Sequence, residues 1–295
     1  MSINPLLEEL KKLRESSKYA VAQGTYSNLN GFKKYLHIER DVEKKLKNII
    51  NKASESDNAK LLLVCGNVGD GKSHILSHLH NELKSVISQF TIHNDATESH
   101  NPNESSNITL YKLLQGFKDE EIGFSKAKII LAINLGTLSK FIEEFGDEFK
   151  KLKEYISNNK ILDTDLVDND EFEDKSYFQY VNFTDYHMYS LTENGPTSKI
   201  ISTLLEKIVA NNEANTIYKA YLEYKKNNTD KVYCPIQYNY EFLFSQNNRT
   251  IVSQLIVKAI IKSKEIVSLR TLLNFVYDII VPIDLSSINE SDYFN

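Results

Sequence analysis

Eight consecutive residues, Gly66-Asn67-Val68-Gly69-Asp70-Gly71-Lys72-Ser73, carry the most concentrated chemistry in the chain. Gly66, Gly71, Lys72 and Ser73 satisfy the spacing G-x-x-x-x-G-K-[ST], and Gly69 adds a third glycine. Glycines let a backbone curl around a polyphosphate with its N–H groups turned inward, and a helix starting at the loop's end adds its positive pole. Lys72 would then meet the β- and γ-phosphates as a point charge, and the Ser73 hydroxyl would sit on Mg²⁺. The run from Gly66 through His74 is therefore the candidate site for ATP with Mg²⁺.

Hydrolysis asks for more: a carboxylate to hold the metal and another to orient or deprotonate the attacking water. The apolar run Lys128–Asn134 ends in Asn134, where many such loops are partnered by Asp. Either Asn134 enters the metal shell, or the acids come from the neighbouring strand end, where Asp95 and Glu98 follow an apolar run. The second arrangement is preferred, with Asp95 also a turn acid and Glu98 also a solvated loop charge as the plainer readings. If neither acts, the chain is a switch that binds ATP and turns it over slowly.

The chain has four arginines, Arg14, Arg40, Arg249 and Arg270, so each can be weighed singly. Arg270 opens a helix in V-S-L-R-T-L-L, with Ser268 as its N-cap, an arrangement that resembles the second sensor arginine of the AAA+ ATPases and by that resemblance implies a reach to the γ-phosphate; the plainer reading is a surface arginine near a helix end. Arg249, in N-N-R-T, reads better as a surface residue than as an arginine finger toward a neighbouring subunit. His74 and His78 have metal-like spacing but no third ligand, so they read as ordinary helix residues. The aromatic cluster Tyr233, Tyr238, Tyr240, Phe242 and Phe244 reads as packing between domains ahead of stacking on bases.

The elements that must hold these groups can be read from periodicity. A buried strand, Leu61–Cys65, precedes the loop and a helix from Ser73 to about Val86 follows it. Upstream lie a helix over Asn4–Ser17, with Leu6, Leu7, Leu10 and Leu13 on one stripe, and another over Glu39–Lys52. Downstream come a strand over Val86–His93, a short helix Ile108–Phe117, a central strand Lys128–Asn134, a long helix Leu138–Asn158 and a strand Phe178–Phe183. Strands alternating with helices imply a parallel sheet sandwiched by helices. From Ser198 onward the pattern is helical: Ile200–Asn211, Asn215–Lys226, an aromatic linker Val232–Phe244, Thr250–Lys262 and Leu269–Ile280. The expected architecture is an α/β phosphate-loop domain over 1–194 and a helical, lid-like domain over 195–295.

Composition bounds the rest. Of 295 residues, 41% are hydrophobic and 25% charged, which describes a globular chain of about two domains and excludes a disordered one. A formal net charge of −5 argues against a protein that grips nucleic acid over its whole surface. Cys65 and Cys234 are far apart, and one lies in the strand before the loop, so no disulfide framework is expected and a reducing cytoplasm is the expected location. The first dozen residues lack a signal peptide's apolar core, and no run is long enough for a membrane helix.

Three segments together resemble one family. K-Y-L-H-I-E-R (Lys34–Arg40), C-G-N-V-G-D-G-K-S-H (Cys65–His74) and H-N-D-A-T-E-S-H (His93–His100) resemble the F component, DptF, of the bacterial DNA phosphorothioation-dependent restriction machinery. The resemblance covers about Lys33–Pro282 and implies an AAA+-like ATPase that acts with G and H partner proteins to restrict DNA lacking the phosphorothioate mark. It makes Gly66–Ser73 the nucleotide site, places Tyr35, His37 and Ile38 near the adenine, and implies DNA as the ultimate substrate, reached through the complex. Arg270 similarly resembles the second sensor arginine of AAA+ lids, and such proteins can form homo-oligomers. No nuclease motif is present, so cleavage is expected of a partner. The alternative function is a non-catalytic, ATP-dependent switch or assembly scaffold; a kinase is a weaker third reading, since no acceptor pocket can be read.

Overall fold

Alternate residues of three apolar runs face opposite ways, and both faces of the resulting strands are buried. The computed structural model describes residues 4–19, 31–67, 70–94, 105–163, 172–186, 188–193, 195–228, 233–263, 267 and 269–282. In chain order the described elements begin with helices α1 (Pro5–Tyr19), α2 (Gly31–Leu36) and α3 (Asp41–Ser54), then strand β1 (Lys60–Cys65). Helices α4 (Lys72–Glu82) and α5 (Lys84–Ile87), strand β2 (Thr91–His93), helix α6 (Ser106–Leu113) and strand β3 (Lys128–Ile133) follow. Next are helices α7 (Leu135–Phe145) and α8 (Lys150–Asn158), strand β4 (Phe178–Asn182) and a small antiparallel hairpin, β5 (Ser190–Thr192) with β6 (Gly195–Thr197). Helices α9 (Lys199–Val209), α10 (Thr216–Asn227), α11 (Pro235–Phe242), α12 (Gln246–Ser263) and α13 (Leu269–Ile280) complete the order.

The chain forms two compact units. One holds Glu39–Tyr186 and is an α/β unit built on a four-stranded, all-parallel sheet of order β2-β3-β1-β4. Leu61, Leu63 and Cys65 of β1, with Ile129, Leu131 and Ile133 of β3, face a core shared with Leu110, Leu138, Phe141, Leu152 and Ile156 of α6, α7 and α8. Leu62, Val64, Ile130 and Ala132 face the opposite core, shared with Val42, Leu46, Ile50, Ile75, Leu76 and Leu79 of α3 and α4. The period of two along each strand thus fills both faces, as a helix-covered parallel sheet requires. Lys60 is the polar exception: its buried ammonium donates to the carbonyls of Asp174 at 2.9 Å and Ser176 at 2.6 Å, so the charge is not left bare.

The other unit gathers the described residues up to Ile38 and from Met188 onward. Its core takes the leucine stripe of α1, Leu6, Leu10 and Leu13, together with Leu204, Leu205, Ile208, Tyr221, Tyr240, Val276 and Ile280. This differs from the division at residue 194 read from the sequence: α1 and α2 belong with the C-terminal helices, because the leucine face of α1 is buried against α10 and α13.

Four elements also differ from their expected form. The strand expected over Val86–His93 is a strand only at Thr91–His93, while residues 84–87 form the short helix α5, whose Ile87 is buried. The long helix Leu138–Asn158 is two, α7 and α8, broken around Gly146. The aromatic linker contains a helix, α11, started by Pro235 at its first turn, where the missing N–H costs nothing. A hairpin, Ser190–Thr192 with Gly195–Thr197, lies just ahead of the C-terminal helices, where no element was expected. No helix among the described residues is long and apolar enough to cross a membrane.

Candidate functional site

Four parallel strands end at one edge of the sheet, the edge at which open α/β sheets bind their ligands. Gly66 follows β1, Asn94 follows β2, Asn134 follows β3 and Phe183 follows β4. Asn134 comes right after the strand that lies between β1 and β2.

The loop after β1 needs its glycines. Gly66 runs at φ +151°, and a Cβ there would lie 2.8 Å from Asp70 Oδ2 and 2.9 Å from Phe183 Cβ. Gly71 is left-handed at φ 85°, ψ 18° and forms the N-cap of α4, so the helix starts directly out of a turn that L-residues resist. Lys72 folds back over this loop, donating from Nζ to the carbonyls of Gly66 at 2.9 Å and Asn67 at 2.7 Å. The cation thereby stands at the loop with backbone partners that a bound anion could replace. Ser73, on the first turn of α4, donates its hydroxyl to Asn94 Oδ1 at 3.0 Å. That bond joins the helix start to the end of β2.

Asp70 is the loop's acid. Its Oδ2 accepts the Asn67 N–H at 2.5 Å, which turns the carboxylate back into the loop. Burial pushes the Asp70 carboxyl above the usual range, opposed by the Asn67 N–H and by the charges of Lys72 and Arg40. Arg40, the residue just before α3, donates from Nη2 to the Asp70 carbonyl at 2.9 Å and lies 5.2 Å from the centroid of the Phe183 ring. Burial pulls its guanidinium below its ordinary value, opposed by Glu43 and Asp70.

The candidate residues fare differently. Gly66, Asn67, Asp70, Gly71, Lys72 and Ser73 come together as one loop, with half-buried His74 behind them on α4; Val68 and Gly69 lie outside the described residues. Asp95 and Glu98 lie outside them as well, as does the side chain of Arg270. Asn134 is the N-cap of α7, its Oδ1 accepting the Thr137 N–H at 2.7 Å, so its amide has a helix to hold. Tyr35 belongs to the other unit: its hydroxyl donates to the Lys207 carbonyl at 2.6 Å, and Lys207 Nζ returns bonds to the carbonyls of Tyr35 and His37 at 2.9 and 2.6 Å. Ile38 packs against the core of that unit. Arg249 caps α11, donating from Nη1 to the carbonyls of Leu243 and Phe244 at 2.8 and 2.7 Å. His78 Nδ1 faces Glu43 Oε1 at 3.0 Å. Of the aromatic cluster, Tyr240 and Phe244 pack edge to face with each other inside their own unit, while Tyr233, Tyr238 and Phe242 are exposed.

Sequence reasoning missed Arg40 and Asn94. The signal for Arg40 was the scarcity of arginine, which makes one placed just ahead of the helix leading into β1 conspicuous. Asn94 stood beside the favoured Asp95 at the end of an apolar run and was passed over because it carries no charge. No protein-family model, curated protein or solved structure matches the chain.

Proposed function

We propose that this chain is a phosphate-loop NTPase of AAA+-like type that binds ATP with Mg²⁺ at Gly66–Ser73. The observation that carries this reading is the passage from a buried parallel strand, through a glycine loop with Lys72 folded over its carbonyls, into the N-terminus of α4. Lys72 would exchange its two backbone partners for phosphate oxygens, and the Ser73 hydroxyl would turn from Asn94 to the metal. Asp95 and Glu98, which follow Asn94 in the sequence, are the acids proposed to hold the metal and orient water, with Arg270 as the cation that senses the γ-phosphate. The resemblance of Lys34–Arg40, Cys65–His74 and His93–His100 to the F component supports a role in phosphorothioation-dependent restriction. There the chain would power or license a complex of G and H components on unmodified DNA, with cleavage carried by a partner.

A second reading, an ATP-dependent switch with little turnover, is favoured by one feature. Asn94 and Asn134, the residues that follow β2 and β3, are amides, and an amide neither takes up a proton nor neutralises a metal. Calorimetric titration with Mg·ATP tests the shared premise: Lys72→Ala should lose about tenfold to a hundredfold in affinity, the value of a charge-assisted bond. Equal affinity in wild type and variant would overturn the nucleotide reading. Phosphate release with and without DNA and partner proteins then separates ATPase from switch, since tight binding with lasting absence of release leaves only the switch.

A further inference from the structure

We propose that Arg40 is the positioning residue of the phosphate loop and its built-in counter-ion: it holds the peptide between Asp70 and Gly71 and offsets the Asp70 carboxylate, leaving the charge of Lys72 for phosphate. The inference rests on the reading of Gly66–Ser73 as a polyphosphate site.

The loop contains a contradiction in charge. Asp70 stands two residues before Lys72, in a loop whose backbone must meet an anion, and a carboxylate there opposes that anion over a few ångströms. Two features answer it. The carboxylate is turned back onto the Asn67 N–H at 2.5 Å, and Arg40 brings a second positive charge to the same turn. Arg40 Nη2 is 2.9 Å from the Asp70 carbonyl and 3.1 Å from where a Gly71 Cβ would stand, so the guanidinium is packed directly against the αL turn that starts α4. Its other side lies 5.2 Å from the Phe183 ring, after β4. A planar guanidinium can donate to a carbonyl while lying near a ring, which a lysine ammonium does less well.

Glu43, three residues along on α3, also acts on Arg40, ahead of Asp70, while its Oε1 lies 3.0 Å from His78 Nδ1. Arg14 is paired with Asp278 and Arg249 with the end of α11, so of these three arginines Arg40 alone serves the loop. Lys72 and Asp70 offset each other within the loop, and Arg40 adds positive charge that Glu43 of α3 shares; without Arg40 that addition is lost.

The test compares Arg40→Gln, Asp70→Asn and the double variant by calorimetry with Mg·ATP and with inorganic tripolyphosphate, alongside thermal melts. Arg40→Gln should weaken both probes about tenfold or more, as removal of a nearby charge in a partly desolvated site does. Asp70→Asn keeps an oxygen for the Asn67 N–H and should tighten tripolyphosphate about threefold or more. The double variant should recover part of the affinity lost in Arg40→Gln, since it removes one charge of each sign and leaves only the lost hold on the Asp70 carbonyl. A brace with no electrostatic role would leave the double variant as weak as Arg40→Gln, and that result overturns the proposal. Should Arg40→Gln fail to fold, Asp70→Asn decides alone: unchanged or weaker affinity overturns it. Wild type that binds neither probe removes the nucleotide reading itself, whereas wild type that binds both with unresponsive variants removes only the role of Arg40.

Discussion

Replacing Gly66 by Ala probes the loop most directly, because two costs arise at once. At φ +151° an L-residue is strained by about 1–3 kcal/mol. The new Cβ would also stand 2.8 Å from Asp70 Oδ2 and 2.9 Å from Phe183 Cβ, closer than such atoms approach. Phe183 is 4% exposed and packed into the core behind the sheet, so it has no room to retreat. Asp70 can swing aside only by giving up the Asn67 N–H. Overpacking of this kind costs about 1–3 kcal/mol, giving about 2–6 kcal/mol for the two together. Gly136→Ala is the matched control: its nearest neighbour, Asn134 Oδ1, is at 3.5 Å, and its place in α7 lets alanine gain up to about 1 kcal/mol of helix propensity. Urea denaturation followed by circular dichroism should show Gly66→Ala unfolding at clearly lower urea and Gly136→Ala at equal or higher urea. A Gly66→Ala midpoint equal to wild type would refute the loop geometry from which the phosphate reading starts.

Asn134→Ala should cost about 1 kcal/mol, the worth of an N-cap, and leave the Mg²⁺ dependence of ATP binding unchanged; a shifted Mg²⁺ titration would return Asn134 to the metal shell. Asn215, buried before α10, donates to the carbonyls of Lys207, Ile208 and Ala210 at 2.9–3.0 Å and accepts from the N–H groups of Ile217 and Tyr218. Asn215→Ala removes all five bonds, leaving the Lys207 and Ile208 carbonyls with the Tyr35 and Tyr240 hydroxyls, and should cost about 2–4 kcal/mol in a thermal melt, with a loss below 1 kcal/mol sinking the account. Asp70 titrates above the usual carboxylate range by burial, so the folded state holds this proton more firmly than the unfolded chain does. Stability should therefore fall as pH rises from the ordinary carboxyl range through the raised value, then level off. Asp70→Asn should remove that fall, and urea midpoints at stepped pH that decline equally in both proteins would refute it.

The sheet was legible because β1 and β3 are continuous apolar runs and their residues alternate between two cores. The start of the expected strand Val86–His93 was not. Val86, Ile87 and Phe90 sit at spacings of one, three and four, which suit a helical turn as well as a strand, and packing decided for helix α5. The break between α7 and α8 depends on partners distant in sequence. Asp119 accepts the N–H groups of Lys150 and Lys151 at 2.8 and 3.0 Å, starting α8 from outside, while Phe149 turns in against Phe141. A Cβ at Gly146 would run into the Ile142 carbonyl, so the break also needs that glycine. Periodicity reports neither contact. The leucine stripe of α1 announced a buried face but not its partner, and its helices lie late in the chain. Within the candidate site, motif spacing pointed to Lys72 and Ser73, whereas the support from Arg40 depends on where the chain enters α3.

Asn94 and Asn134 bear on how the proposed ATP chemistry would divide between binding and turnover. An amide oxygen can accept a hydroxyl hydrogen or face a cation, but it brings no negative charge. A Mg²⁺ met by Ser73 and an amide would keep more of its charge for the phosphates, which strengthens the hold on Mg·ATP and does nothing for the attacking water. Asn94 already occupies the position beside Ser73 that a metal-holding carboxylate would be expected to take. On the proposed reading the general base is one of the acids that follow it in the sequence, Asp95 or Glu98. On this argument Asn94→Asp and Glu98→Gln should separate cleanly: the first should change the Mg²⁺ concentration needed for ATP binding, and the second should slow phosphate release with binding intact. Parallel loss of binding and turnover in both variants would show that the end of β2 serves the loop as a single unit, and the division proposed here would fail.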